Sequence, residues 1–329
     1  MKILFLGGTG LISNACSRIG TAKGMDITIL NRSRNHRFPF PEGVKSMVAD
    51  VSDEIQLTAI MSDHKFDVVV DWIAYTPEDI ERDLRVFSGR TGQFIFISSA
   101  SAYQKPPQSL VVTEETPLSN PFWKYSRDKI ACEADLMRAY RESNFPVTIV
   151  RPSLTYGEGQ LPLVMNSWNH PYTIIDRIRR NKPIIIPGDG ESLWVMTYNE
   201  DFAEGFLPLL GNQSAIGQSF HITSEEVLSW NAVFEQFLNS INLEAELAHV
   251  PVEIVVRMFP EFEGTLIGDK TNSIIFDNSK IRSIAPDFRC KVPWQVGIKR
   301  SYDWLMDHPE NQTIDHELNQ ILDQLLESD

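Results

Sequence analysis

Much is missing from this chain, and each gap excludes something. No run approaches the roughly 18 apolar residues that a bilayer-crossing helix needs. The first apolar stretch, "MKILFL", is cut short by Gly8 and Gly10. It has no small-residue cleavage pattern behind it, so neither a spanning helix nor a signal peptide is expected. Cysteine is scarce: Cys16, Cys132 and Cys290 are odd in number and far apart. With no Cys-x-x-Cys pair and no His/Cys cluster, no zinc or other metal site is expected, and the thiols read as the reduced cysteines of a cytoplasmic protein. The seven histidines show no ligand spacing. Positive charge is also short, with 30 Lys and Arg against 44 Asp and Glu, a formal net charge of −14. Phosphate backbones and anionic membranes need clustered cations, so no nucleic-acid or membrane partner is expected, only a small-molecule substrate. No internal repeat or low-complexity tract is present.

What remains is a chain of 329 residues with 42% apolar and 22% charged side chains, the balance of a soluble globular protein. It exceeds one average domain in length. The first half alternates strand and helix signals. Strands are expected at "KILFL", 26–30, 44–50, 66–74, 92–99 and 146–153, and helices over 10–23, 53–63, 77–88 and 122–143. Such alternation implies an α/β fold with a doubly wound parallel sheet of the Rossmann type. Prolines and glycines cluster after about residue 155. A helix at 199–210 and a strand at 218–223 are expected to return to the sheet. The division is therefore 1–155 with 199–224 as the dinucleotide-binding domain, and 156–198 with 225–329 as a smaller, discontinuous substrate lobe. "DHELNQILDQLLESD" reads as an amphipathic helix.

Two constellations carry chemistry. In "GGTGLIS", a strand runs through a glycine turn into a helix, which makes an anion site. Gly7 permits the turn, Gly10 allows a pyrophosphate to approach, and the helix start adds Leu11 and Ile12. Ser13 stands where a third glycine would be, at a position that asks only for a small side chain. The second strand ends in Asn31 and Arg32, with Arg34 nearby. No acid is there to hold a ribose 2′-hydroxyl, so the cofactor is NAD or NADP with a lean to NADP. Asp50 and Val51, at the end of the third strand, sit where adenine is flanked. The second constellation is Tyr125 and Lys129, four apart on one helix face. A nearby ammonium favours the phenolate, and so would a positive nicotinamide. Tyr125 could then exchange a proton with a substrate hydroxyl, with a serine of "SSASAY" holding the oxygen. Trp72 and Tyr75 fall close to the expected nicotinamide; packing and a substrate wall are both open readings there. Trp123, two before Tyr125, is expected on another helix face, in packing. Asp201 is expected as a helix N-terminal residue.

Together these residues resemble the extended short-chain dehydrogenase/reductase family of epimerases and dehydratases over nearly the whole chain. "ISSASAY" (97–103) is similar to its active-site strand and selects Ser99 as the catalytic hydroxyl beside Tyr125 and Lys129. "RPSLTYG" (151–157), "GDGESLWVMTYNEDFA" (188–203), "LIGDK" (266–270) and "FDNSKIRSIAPDF" (276–288) resemble its later signatures. The resemblance implies an NAD(P)-dependent epimerase or oxidoreductase acting by hydride transfer at a secondary alcohol or carbonyl, of a sugar or sugar-like molecule. A cofactor-binding sensor or interaction protein is the alternative. It also implies a homodimer through the helices at 77–88 and 122–143. Three departures stand out. Leu154, Trp194 and Leu266 align with the asparagine and two arginines that hold sugar diphosphates in the family. Ala100 and Ser101 replace the acid pair of its 4,6-dehydratases. A pocket more apolar than that of a UDP-sugar epimerase, or one that grips differently, is expected.

Overall fold

Strand β1 (Lys2–Leu6) shows in five residues why the sheet is interior: Ile3 and Phe5 enter one core and Leu4 and Leu6 another. Apolar residues on both faces of a strand require helices on both sides. The computed structural model describes residues 1–32 and 38–327. After β1 come α1 (Leu11–Ala22), β2 (Asp26–Asn31), β3 (Lys45–Val48), α2 (Glu54–Asp63), β4 (Val68–Asp71), α3 (Pro77–Phe87) and β5 (Gln93–Ile97). Local chemistry sets the helix starts. Asp53 caps α2 by accepting from the N–H groups of Ile55 and Gln56, both at 3.1 Å. Asp79 reaches back to the N–H groups of Tyr75 and Thr76 at the start of α3, where Pro77 needs no donor.

The chain continues through β6 (Val111–Val112), α4 (Lys124–Ser143), β7 (Val147–Pro152), β8 (Leu154–Tyr156), α5 (Thr173–Arg179), β9 (Ile184–Pro187), β10 (Leu193–Tyr198), α6 (Asn199–Phe206) and β11 (Ser219–Ile222). Seven strands form one parallel sheet in the order β11-β7-β5-β4-β1-β2-β3. The order reverses between β1 and β4, and ligands of such sheets bind at the carboxyl ends beside that switch. Phe202 and Phe206 of α6 fill one face. Leu57 of α2, Ile80 of α3 and Leu136 of α4 fill the other.

The fourth strand is shorter than the expected 66–74. Asp71, fully buried, accepts from the N–H groups of Ile73 (2.7 Å) and Ala74 (2.8 Å) and curls the chain out of the sheet. The curl aims residues 72–75 at the carboxyl ends of the strands.

The remaining segments are β12 (Val227–Ser229), α7 (Trp230–Ile241), β13 (Leu247–Val250), α8 (Val252–Met258) and β14 (Ile275–Phe276), with helices at Ser279–Ile284, Trp294–Asp307 and His316–Leu326. They build three small sheets, β12-β10-β8, β13-β9 and β14-β6. A separate core that includes Trp230, Phe234, Phe237 and Trp294 joins them. Among the described residues no helix is long and apolar enough to cross a membrane.

Candidate active site

The glycine turn has no room for side chains on two sides. Gly7 has φ +80°, and a Cβ there would lie 2.2 Å from Cγ2 of Ile73. A Cβ on Gly8 would meet Cγ1 of Ile29 at 2.6 Å. Ser13 does more than fit. Its hydroxyl accepts from the N–H of Gly10 (2.9 Å) and donates to the carbonyl of Gly7 (3.2 Å), tying the turn closed. Gly10 N–H is thus taken. Leu11 and Ile12 remain, in a first turn whose N–H groups have no intrahelical carbonyl. A left-handed glycine, a close-packed turn and a twelve-residue helix starting at the switch point suit the pyrophosphate of a dinucleotide.

Asn31 ends β2, and the next residue, Arg32, has its guanidinium 3.7 Å from the carboxylate of Asp50. Asp50 also accepts from the N–H (3.0 Å) and hydroxyl (2.7 Å) of Ser52, and Val51 is buried beneath. These four residues lie beside the glycine turn along the strand ends, outside the lining of the main cavity. Arg34 lies outside the described residues.

That cavity measures about 760 Å³ and brings together Gly7, Gly10, Leu11 and Ile12 with Ser99, Tyr125 and Lys129. Ser99 follows β5 and caps the short turn Ala100–Ala102. Its oxygen is 2.9 Å from the Ser101 hydroxyl, which accepts in turn from buried Ser126 at 2.8 Å. Tyr125, in the first turn of α4, stands near enough to Ser99 for that hydroxyl to lower its phenol. Lys129 stands one helical turn further on and is buried. Its ammonium donates to the carbonyls of Ala74 and Ile97, each at 2.7 Å. The curl made by Asp71 therefore supplies one of the two carbonyls that hold Lys129.

The electrostatics differ from the sequence expectation. Burial pushes the Tyr125 phenol up to about 12, against the lowering that Ser99 contributes, and Tyr75 and Asp269 push it the same way as burial. The expected depression by Lys129 is not found, because that ammonium is turned to carbonyls and lies 5.9 Å from the Tyr125 ring centre. Lys129 itself is lowered to about 8 by burial, with Asp71 first among the groups that oppose the drop.

The far half of the cavity is apolar. Leu154, Trp194 and Leu266 all line it. Residues Leu266–Lys270 form a π-helical turn, closed by the N–H of Thr271 on the Leu266 carbonyl (3.1 Å), and such turns recur at functional sites. Trp194 donates its indole N–H to the Lys270 carbonyl (2.8 Å). Trp123 is a correction: it precedes α4 as its cap, so helix-face geometry does not apply, and its ring lies 5.0 Å from that of Tyr125 on the cavity wall. Trp72 touches the cavity and also packs edge-on against Phe5 (5.6 Å), whereas Tyr75 is half exposed beside Tyr125. Asp201 lies in the first turn of α6 and anchors a loop there, accepting from the N–H groups of Lys291 and Val292. Asp71 and Lys105 carry no signal in the sequence that marks them as site residues, and Asp269 and Lys270 appear only inside "LIGDK". "LIGDK" is visible as a motif, but nothing in its spacing announces a π turn.

Comparison with known proteins places these features. The profile of the NAD dependent epimerase/dehydratase family matches residues 3–223. A relative, 2'-dehydrokanamycin reductase of Streptomyces kanamyceticus, is 22% identical over 88% of this chain and 80% of its own. The chloroplast stem-loop binding protein of 41 kDa b of Arabidopsis thaliana is 27% identical over 70% of this chain, which spans 61% of that protein. In three dimensions, epimerase Mth375 of Methanothermobacter thermautotrophicus superposes with a TM-score of 0.77 at 17% identity, covering 94% of this chain and 93% of the other. The parallel sheet, the glycine turn at its switch point and a match over about two thirds of the residues agree: this chain belongs to the NAD dependent epimerase/dehydratase family, the extended short-chain dehydrogenase/reductase type of enzyme.

Proposed function

We propose that this protein is an NAD(P)-dependent oxidoreductase that transfers hydride reversibly at a secondary alcohol or carbonyl, and that net reduction is its working direction. The observation that carries this is the convergence of Ser99, Tyr125 and Lys129 on the cavity that the glycine turn opens into. When bound, a nicotinamide cofactor supplies or accepts the hydride. Ser99 hydrogen-bonds the substrate oxygen and positions it. Tyr125 stays protonated at neutral pH, since burial holds its phenol at about 12. A protonated phenol is ready to donate to the alkoxide that forms as a carbonyl is reduced. Lys129 fixes the walls of the site through the carbonyls of Ala74 and Ile97. The relative named as a reductase fits this direction.

Asn31 followed by Arg32, with no acid at the end of β2, favours NADP over NAD. The domain division is 1–155 with 199–224 against 156–198 with 225–329. A homodimer through the outer faces of α3 and α4, and a cytoplasmic setting that keeps Cys16, Cys132 and Cys290 as free thiols, complete the reading.

Replacement of Tyr125 by Phe tests the activity. Turnover should fall about a hundred- to ten-thousandfold, while NADH and NADPH titrations stay unchanged. Activity that survives the replacement refutes the catalytic role and leaves the cofactor-binding sensor or interaction protein, the reading that the stem-loop binding relative brings forward.

A further inference from the structure

The substrate half of the cavity contains an unusual charge arrangement in an apolar wall. Among the described lining residues none is arginine, and the only charged ones are Lys129, Asp269 and Lys270. Lys129 is committed to two backbone carbonyls. A nucleoside diphosphate brings at least two negative charges and is held best by planar, bidentate guanidinium groups. Here Leu154, Leu266 and the Trp194 ring face the space instead, and a desolvated diphosphate against them would go unpaired.

The π turn supplies the exception. The Lys270 ammonium is 2.5 Å from one oxygen of Asp269 and 4.1 Å from the Trp194 ring centre. The other Asp269 oxygen is 3.7 Å from the ammonium of Lys105. Lys105 is 3% exposed, and its Nζ has no hydrogen-bond partner among the described residues. Two ammonium groups therefore share one carboxylate, leaving a net charge of +1 when both are protonated. A surplus buried cation is costly unless an anion completes it. Burial already pulls the Lys105 proton affinity below its ordinary value. A cationic ligand would face two ammoniums; a singly charged anion would balance the group. Asp269 is also near enough to Tyr125 to raise its phenol, so this group lies close to the reacting centre.

Resting on the oxidoreductase reading, we infer that the substrate is a ketone or secondary alcohol on an apolar, ring-sized body that carries one carboxylate, held at Lys270. The body lies against Leu154, Trp194 and Leu266. The carboxylate takes N–H donors of Lys270 not used on Asp269, and Lys105 adds its charge from behind.

The test uses two dyes that differ by one anionic group, 8-anilinonaphthalene-1-sulfonate and neutral N-phenyl-1-naphthylamine, with UDP-glucose as the diphosphate probe. The sulfonate stands in for the carboxylate. Each is titrated into cofactor-loaded protein, after NADH and NADPH binding has been measured separately. The sulfonate dye should bind saturably and at least about tenfold tighter than UDP-glucose. Lys270→Gln should cut its preference over the neutral dye by about tenfold, Lys270→Arg should retain most of it, and both should bind cofactor normally. Tighter binding of UDP-glucose, saturable binding of neither dye, or a preference unmoved by Lys270→Gln overturns the inference. Failure to bind NADH or NADPH at all would instead overturn the oxidoreductase reading.

Discussion

The two halves of the cavity solve recognition in opposite ways. The cofactor half is built from backbone: glycines that exclude side chains, helix N–H groups, and carbonyls that hold Lys129. The substrate half is built from side chains, with Leu154, Trp194 and Leu266 forming a wall around one charged cluster. Backbone recognition tolerates little change, because no side chain can be exchanged to repair it. A side-chain wall can be rewritten one residue at a time. The halves should therefore fail independently when each is perturbed in turn.

The largest effect is expected from Gly7→Ala. A left-handed backbone costs a non-glycine residue about 1–2 kcal/mol, and the new Cβ would press on Ile73 at 2.2 Å. Cofactor affinity should fall about a hundredfold, some 2.7 kcal/mol, while anilinonaphthalenesulfonate binding stays within about threefold. Parallel loss of both would show that the halves are one cooperative unit. Next, Arg32→Ala should lower NADPH affinity about tenfold and leave NADH nearly unchanged, since a charge-assisted contact to phosphate is worth roughly 1.5–3 kcal/mol and this one is exposed. Equal losses for both cofactors would remove the NADP preference.

The smallest effect is expected at the seam between the halves. Asp71 opposes the lowering of Lys129, which burial takes to about 8. Asp71→Asn keeps an acceptor for Ile73 and Ala74 but removes the charge, so Lys129 should lose its proton at lower pH. The alkaline limb of the kcat/KM profile should move down by roughly half a unit. An unmoved limb would mean that Asp71 only shapes the turn.

Much of the cofactor half is legible in the sequence, because strand periodicity and glycine spacing are local. Gly7, Gly10, Tyr125 and Lys129 are visible as patterns, and the structure brings them to one cavity. The hydroxyl bonds of Ser13 are not visible, since a spacing rule records only that the residue is small. Leu154, Trp194 and Leu266 stand out through resemblance, and they share one wall although they are far apart in the chain. Lys105 and Asp269 escape because their meeting depends on a long-range approach of residues 164 positions apart. The phenol of Tyr125 departs from expectation for a physical reason: burial outweighs a cation that is pointed elsewhere.

The π turn at Leu266–Lys270 has one more consequence. It closes on the fifth residue rather than the fourth, so it accommodates one residue beyond an ordinary helical turn. Removing that residue lets the turn close as α with the downstream chain little rotated, so a single deletion here would take one side chain off the wall and leave its neighbours in place. The selectivity of this pocket is therefore written in the length of the chain as well as in its letters.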